Sequence, residues 1–178
     1  MRRPAEDPIM EVALITVGDE LLAGDTVDTN ATWLADRLTD RGVTVVRVLS
    51  LPDDRGTITA RVADYSARFD RVLVTGGIGG TPDDVTMEAV ADAFDRDMAA
   101  SELTREAVDR RLAEIEQRLP DRELNVDREA EAAIPEGSRP LINEAGLAPG
   151  CVVENVYVLP GIPGELKAMF ESVAEEFA

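Results

Sequence analysis

Three strand patterns, each followed by a helix pattern, constrain the fold of this chain more than any other feature. The runs Val12–Val17, Val43–Leu49 and Arg71–Thr75 have strand character, and Val12–Val17 is near-continuously apolar, as a buried strand is. Each run precedes a segment with apolar residues at helical spacing. This alternation predicts an α/β fold, a three-layer α/β/α domain in which the three runs are adjacent strands of a mostly parallel sheet.

Capping residues and apolar spacing predict where the first helices lie. One helix is expected over residues 28–41, with Asp28 and Asn30 as candidate caps and Gly42 closing it. A second helix should start at Pro52-Asp53-Asp54. The residues expected to face the core from that helix are Ile58, Val62 and Tyr65.

The second half of the chain predicts a charged helix, a hairpin and a final helix. The charged helix should cover Ser101–Leu119, with an apolar stripe that includes Val108 and Leu112. Glu154-Asn155 separates two short apolar runs, which predicts a small β-hairpin near the C-terminus. The core-facing stripe of the final helix is expected to be Leu166, Met169, Phe170, Val173, Ala174 and Phe177.

Length and composition favour one folded domain. The chain has 178 residues, of which 44% are hydrophobic, so a sizeable core is expected. We interpret residues 1–178 as a single domain in which residues 1–9 form a loose leader. No stretch approaches the ~18 apolar residues that a membrane span needs, so no membrane partner is predicted.

The charge balance points to a high-salt environment. Acidic residues number 36 against 18 basic ones, which gives a net charge of −18, and Lys167 is the one lysine. Such a surface is unfavourable for nucleic acid or anionic membranes. It suits a halophilic cytoplasm, because the Debye length falls to about 3 Å at 1 M salt and the self-repulsion is then screened. The lone cysteine, Cys151, excludes an intrachain disulfide and also favours a cytoplasmic location, and we expect it to be a core thiol.

Three loops should meet at one edge of the predicted sheet. Ligands of such folds bind at the carboxyl ends of the strands. The loops that qualify are Gly18–Thr29, Gly76–Asp84 and Pro160–Glu165.

The loop Gly76–Asp84 carries the strongest functional signal. It places four glycines within five positions directly after a strand and before a helix. Glycines let backbone N–H groups approach an anion closely, and a helix N-terminus adds partial positive charge. Asp83 and Asp84 then follow, and they are the carboxylates we expect to hold a metal ion. The combination predicts chemistry on a metal-bound phosphate or pyrophosphate.

A purely structural interpretation of this loop is also open. Thr81 could cap the following helix with Pro82 at its first position and acids in its first turn. Capping accounts for Thr81 and one aspartate, but not for four glycines. The spacing matches neither the Rossmann fingerprint nor the Walker A motif.

Two aspartates are the candidate catalytic residues. Asp84 closes the junction between loop and helix, where its carboxylate could reach a metal on a bound phosphate. Asp53 follows the second strand and therefore projects from the same edge of the sheet. With no histidine in the chain, catalytic sites of the Cys–His and Ser–His–Asp kinds are excluded.

The chain resembles the molybdopterin-binding fold family that includes MoaB, MogA and the N-terminal domain of CinA, and it is most similar to the CinA type. The motifs that carry this resemblance span nearly the whole chain in order. They are Gly18-Asp19-Glu20-Leu21-Leu22, Gly24, Asp28-Thr29-Asn30, Leu34, Pro52-Asp53, Gly76-Gly77-Ile78-Gly79, Thr81-Pro82-Asp83-Asp84, Thr86, Ala133, Pro135, Gly137, Asn143, Gly146, Ala148-Pro149-Gly150, Pro160-Gly161-Ile162-Pro163 and Glu165.

The chain departs from the CinA pattern at three places. Gly80 stands where a proline is usual, and Gly164 where a serine is common. Residues 124–130 lack the Lys-Gln pair often found there, which would remove a basic ligand contact. Full-length CinA proteins also carry a C-terminal nicotinamide-nucleotide deamidase domain. That domain is not among these 178 residues, so its activity is not carried over.

The resemblance implies a small-molecule phosphate ligand, either molybdopterin or a nucleotide pyrophosphate, together with Mg²⁺ or a similar divalent metal. A CinA-type member would be a metal-dependent pyrophosphatase, a hydrolase of ADP-ribose-like nucleotides. The alternatives are a molybdopterin-binding or adenylylating protein of molybdenum cofactor biosynthesis, and a non-catalytic binding module. The family also commonly forms homo-oligomers. The implied ligand-binding residues are Gly18, Asp19, Glu20, Asn30, Gly76, Gly77, Gly79, Gly80, Thr81, Asn143, Gly161, Pro163 and Glu165.

Overall fold

The computed structural model describes residues 9–119 and 124–178, so most of the predicted leader lies outside the described residues. Helices and strands alternate through the first half of the chain, as expected. In chain order the elements are β1 (Glu11–Val17), α1 (Asp19–Ala23), α2 (Thr29–Thr39), β2 (Thr44–Leu51), α3 (Arg55–Arg68), β3 (Arg71–Thr75), α4 (Thr86–Ala93), β4 (Met98–Ala100), α5 (Glu102–Arg118), α6 (Arg128–Ala132), β5 (Ala133–Pro135), β6 (Arg139–Leu141), β7 (Gly150–Val153), β8 (Val156–Leu159) and α7 (Pro163–Val173), with a 3₁₀ turn at Ala174–Glu176.

The main sheet has six strands in the order β2-β1-β3-β8-β7-β6. Strands β2, β1, β3 and β8 are parallel, while β7 and β6 extend the sheet by antiparallel pairing. The three predicted strands are therefore adjacent and parallel, which confirms the fold class. The predicted hairpin is β7–β8, and it forms part of this sheet. A second, two-stranded sheet pairs β4 with β5 antiparallel, and the sequence analysis did not anticipate it.

Helices cover both faces of the sheet and bury two separate clusters. On one face, α3 and α4 pack over the sheet, and the predicted residues Ile58, Val62 and Tyr65 are buried there. On the other face, α2 and α7 pack side by side. All six residues predicted for the stripe of the final helix are buried in that second cluster. The helices on the two faces and the sheet between them are the three predicted layers.

Several helix starts follow the capping rules. Asp28 caps α2 by accepting a hydrogen bond from the backbone N–H of Ala31 at 2.9 Å, whereas Asn30 lies in the first turn of the helix and does not cap it. Asp54 caps α3 through Thr57 N–H at 2.8 Å. The charged helix α5 starts at Ser101 with a capping box, in which Ser101 and Thr104 bond reciprocally.

The capping interpretation of Thr81 is wrong. Helix α4 begins at Thr86, and Val85 occupies its N-cap position without a side-chain cap. Thr81 instead starts a turn, because the backbone N–H of Asp84 donates to the Thr81 carbonyl at 3.0 Å. The segment from Gly76 to Val85 is therefore a loop along its full length.

The apolar stripe of α5 is only partly buried. Val108 and Leu112 pack with Ala132 of α6 in a small cluster of their own, whereas Leu119 is 45% exposed. Cys151 is fully buried, as expected of a core thiol, and burial raises its pKa to about 12. Within residues 9–119 and 124–178, no helix is both long and apolar enough to cross a membrane.

Candidate functional site

The carboxyl ends of β1, β3 and β8 open into one cavity with a volume of about 540 Å³. All three predicted loops contribute to its wall, because the ends of neighbouring parallel strands lie at the same edge of the sheet. The loop between β6 and β7 adds Leu147 and Ala148, and α6 adds Glu131. This cavity is the candidate functional site.

Most of the predicted site residues line this cavity. Those on its wall are Glu20, Asn30, Gly76, Gly77, Gly79, Asp84, Gly161, Pro163 and Glu165. The predicted residues that lie behind or beside the wall are Gly18, Asp19, Asp53, Gly80, Thr81, Asp83 and Asn143. Several members of this second group contact members of the first.

The glycine loop presents bare backbone to the cavity. Gly76 and Gly77 have φ values of 97° and 66°, which L-residues with a side chain rarely adopt. A side chain at Gly76 would also collide with the carbonyl oxygen of Val17 at the end of β1. On the other side, a Cβ at Gly161 would lie 3.1 Å from the Gly76 Cα. The loops after β1, β3 and β8 are therefore in backbone contact, and glycine is required where they meet.

Thr81 fixes the orientation of Asp84. The Thr81 backbone N–H and hydroxyl both donate to Asp84 Oδ2, at 3.1 and 2.5 Å. A Cβ added at Gly79 would lie 2.6 Å from the same oxygen. The Asp84 carboxylate thus packs directly against the glycine loop, while its neighbour Asp83 is exposed and does not line the cavity.

Asp53 lies behind the glycine loop. Its Oδ2 accepts a hydrogen bond from Asp19 N–H at 3.0 Å, and its own N–H donates to Asp19 Oδ1 at 3.2 Å. A Cβ at Gly77 would lie 3.4 Å from Asp53 Oδ1 and 2.5 Å from the hydroxyl of Thr86, which is buried and lacks a partner among the described residues. Burial raises the pKa of Asp53, and the charges of Asp19, Glu20 and Asp84 raise it further.

Glu131 is a wall residue that the sequence analysis missed. It lies on the short helix α6, is half-buried, and approaches the loop at Gly80. Burial raises the pKa of its carboxyl group, and the charge of Asp84 adds to the effect. No local sequence signal marks Glu131, because α6 has five residues and Asp84 is far away along the chain.

Asn143 holds Glu165 and the loop before β7 in place. Its side-chain amide donates to Glu165 Oε2 at 2.8 Å and to the Ala148 carbonyl at 3.1 Å. Its Oδ1 accepts a hydrogen bond from Gly146 N–H at 2.7 Å. Asn143 is buried and does not touch the cavity, so it positions the wall that Glu165 and Ala148 form.

The donor set fits a cation held by few protein ligands. The described residues contain no group of three or more Asp, Glu, Cys or His side chains placed to bind one metal ion. One or two carboxylates suffice for Mg²⁺, which keeps several of its waters. Asp84 lines the cavity, and the raised pKa of Asp53 reflects partly a repulsion from neighbouring carboxylates that a cation would relieve.

The fold and the cavity define a class: an α/β domain whose candidate ligand site lies at the carboxyl edge of a mostly parallel sheet, around a glycine loop. Within that class the chain belongs to the family described as "Probable molybdopterin binding domain", whose model matches residues 13–178. The resemblance noted in the sequence is thereby confirmed.

Individual relatives agree with this family. The chain is 42% identical to a CinA-like protein of Citrifermentans bemidjiense over 91% of its own length and 39% of that protein. A crystal structure of CinA, of unknown function, from Thermoplasma acidophilum is 33% identical, with a TM-score of 0.80 over 96% of this chain and 99% of that one. MoaB from Thermus thermophilus, a molybdopterin biosynthesis enzyme, shares the fold at 21% identity and a TM-score of 0.62, covering 94% of this chain and 91% of that one. Archaeal relatives are longer, and the chain spans 65 to 69% of their length.

Proposed function

We propose that the protein binds a molybdopterin or nucleotide pyrophosphate against Gly76–Gly79 and, with a divalent cation, hydrolyses the pyrophosphate bond of an ADP-ribose-like nucleotide. The observation that carries this proposal is one cavity that combines bare glycine backbone with carboxylates. The Gly76 N–H donates to the Leu159 carbonyl at 3.3 Å, so the N–H donors proposed for phosphate oxygens are those of Gly77, Ile78 and Gly79. The carboxylates supply the ligands that a hard cation prefers.

Charge makes the cation necessary. Among the described residues that line the cavity there is no lysine or arginine, whereas five carboxylic acids are present: Glu20, Asp28, Asp84, Glu131 and Glu165. Two unit charges of like sign about 4 Å apart repel by about 4 kcal/mol at an effective dielectric constant of about 20. A phosphate ligand entering alone would meet that repulsion from several carboxylates. A divalent cation held between the ligand and the carboxylates would offset this repulsion by attracting both.

We assign a role to each site residue from its position and hydrogen bonds at the cavity. The N–H groups of Gly77–Gly79 bind phosphate oxygens, and Asp84, oriented by Thr81, holds the cation or accepts the proton of the attacking water. The water oxygen forms a bond to phosphorus while the bridging P–O bond breaks, which releases AMP and a sugar phosphate. When bound, a divalent cation neutralises charge on the phosphate oxygens. Asp53 supports the loop from behind, and Glu165 contacts the ligand from the first turn of α7.

A substrate panel tests the proposal. Purified protein is incubated in molar KCl with ADP-ribose, FAD, NADH or ATP and with Mg²⁺, Mn²⁺ or Co²⁺, and released AMP is measured. We expect AMP release from ADP-ribose that requires the cation and that falls by about 100-fold in Asp84→Asn. Calorimetry on the same ligands separates binding from turnover. Absence of both binding and turnover across the panel would refute the nucleotide pyrophosphatase proposal.

The family description favours a second candidate, a molybdopterin-binding or adenylylating protein. Both candidates use a phosphate cradle and a cation, so the products distinguish them. An adenylylating protein would consume ATP only when a pterin phosphate is present and would release pyrophosphate. A non-catalytic module would bind one of these ligands without consuming it.

A further inference from the structure

The cavity is larger than a phosphate group requires, and its wall includes apolar side chains as well as carboxylates. Its volume of about 540 Å³ falls within the range of roughly 300–1,000 Å³ typical of sites for drug-sized organic ligands. Asp84 and Glu131 contribute from the side of α4 and α6, whereas Val27 and Ile162 contribute from the starts of α2 and α7. Carboxylates reach both sides, because Asp28 and Glu165 also line the wall at these two helix starts, and Val27 and Ile162 add exposed apolar surface there.

Val27 and Ile162 are unusually exposed for apolar residues on a cavity wall. Their relative exposures are 79% and 61%. Val27 lies next to the cap residue of α2, and Ile162 occupies the N-cap position of α7. The side-chain amide of Asn30 donates to the Gly161 carbonyl at 2.7 Å and so joins the two helix starts. This hydrogen bond holds both residues at one mouth of the cavity.

We propose that Val27 and Ile162 hold the flat heteroaromatic ring of the ligand, a nucleobase or a pterin, while its phosphates lie at Gly76–Gly79. The inference rests on the proposed function and adds the ring as a specificity determinant. Flat rings gain from contact with aliphatic side chains through burial of apolar surface. A ligand with a ring and a phosphate end matches both the glycine backbone and these two apolar side chains, whereas inorganic pyrophosphate matches only the backbone.

The test compares ring-bearing and ring-free ligands. The Kd values of ADP, 6-hydroxymethyl-7,8-dihydropterin pyrophosphate and inorganic pyrophosphate are measured by calorimetry with Mg²⁺ for the wild type and the double variant Val27→Ala/Ile162→Ala. Alanine is used because serine at the N-cap of α7 would add a capping hydrogen bond and change the stability of the helix. We expect at least one ring-bearing ligand to bind about tenfold more weakly to the variant, with inorganic pyrophosphate unchanged.

A matched control removes apolar side chains of similar exposure elsewhere. Val48 and Leu103 are 53% and 52% exposed and do not line the cavity, so Val48→Ala/Leu103→Ala should bind every ligand as the wild type does. Melting temperatures verify that each variant is folded.

The outcomes distinguish a failure of the ring site from a failure of the proposed function. If the wild type binds neither inorganic pyrophosphate nor a ring-bearing ligand, the proposed function fails. If the wild type binds inorganic pyrophosphate as tightly as ADP and the pterin, or if the double variant binds all three unchanged, the ring site is refuted and phosphate binding stands. A shift in sedimentation of the double variant with unchanged affinities would likewise refute it, because the two residues would then cover a contact between copies of the chain.

Discussion

Acidic residues on the outer surface and in the cavity have different charged neighbours. On the surface, arginines pair with many carboxylates, as in the bidentate contacts of Arg55 with Asp92 and of Arg105 with Glu129. These partners lower the pKa of Asp92 and Glu129. In the cavity, Asp84 raises the pKa of Glu131 in addition to the effect of burial, and no lysine or arginine lines the described wall.

Acidic residues therefore have different energetic effects in the two regions. Exposed acidic residues paired with arginine contribute little to stability and are screened by salt. Carboxylates held together at a cavity cost free energy in the absence of a counter-ion. An excess of acidic residues in the composition therefore does not locate a site. A group of carboxylates that has no lysine or arginine beside it is the more informative signal.

The largest effect on ligand binding should come from adding a side chain to the glycine loop. In Gly79→Val the new side chain would occupy the space of the Asp84 carboxylate, which lies 2.6 Å from the Cβ position. We expect no detectable binding of ADP-ribose with Mg²⁺ by calorimetry. The matched control is Gly164→Val, because a Cβ at Gly164 meets no atom within 4 Å. Wild-type affinity in Gly79→Val would show that the loop is only a turn.

The second effect concerns the charge of Asp84. Asp84→Asn keeps an oxygen that can accept the two hydrogen bonds from Thr81, so the melting temperature should hardly change. We expect kcat for ADP-ribose hydrolysis to fall by about 100-fold, a typical contribution of a general acid–base group. Asp83→Asn provides the comparison, since Asp83 lies off the cavity wall and should have a small effect. Equal losses in the two variants would contradict the distinction between these neighbours.

Added salt should change the melting temperature mainly by screening charges on the outer surface. The net charge of −18 makes the folded chain repel itself, and added KCl screens exposed charges. We therefore expect the melting temperature of the wild type to rise between about 0.1 and 2 M KCl. A flat or falling melting temperature over that range would argue against a halophilic origin.

The smallest effect should come from neutralising Glu131. The pKa of Glu131 is raised above its ordinary value of 4.5 in the folded state. Above pH 4.5 the folded protein therefore keeps a proton that the unfolded chain has lost. The free energy of unfolding then falls as the pH rises. Glu131→Gln should therefore raise the melting temperature at about pH 7 and leave it unchanged near pH 4. The gain should persist at 2 M KCl, since half-buried charges are screened less than exposed ones. A loss of stability at pH 7 would mean that the carboxylate makes a favourable contact instead.

The sequence predicted the framework of the site better than its details. The glycine loop and the neighbouring loops were predicted because strand ends and glycine runs are local features. Thr81 was assigned as a possible cap of α4, but its hydroxyl and N–H bond to Asp84 within a turn. A sequence pattern cannot distinguish these roles, since the same Thr-Pro-Asp-Asp run suits a helix start and a turn. Glu131 carried no signal, because its neighbours come from a distant part of the chain.

The sequence by itself determined the layers and the edge at which the three loops meet, because apolar periodicity fixes the strands and parallel strands end on one side of a sheet. Only the tertiary structure decided which carboxylates face the cavity. Asp83 and Asp84 are chemically identical neighbours, yet Asp84 lies against Gly79 and Asp83 faces solvent. That choice depends on the backbone of a loop held by Thr81 and by the packing of Gly76 against Val17 and Gly161, and contacts between distant segments are not encoded in any local pattern.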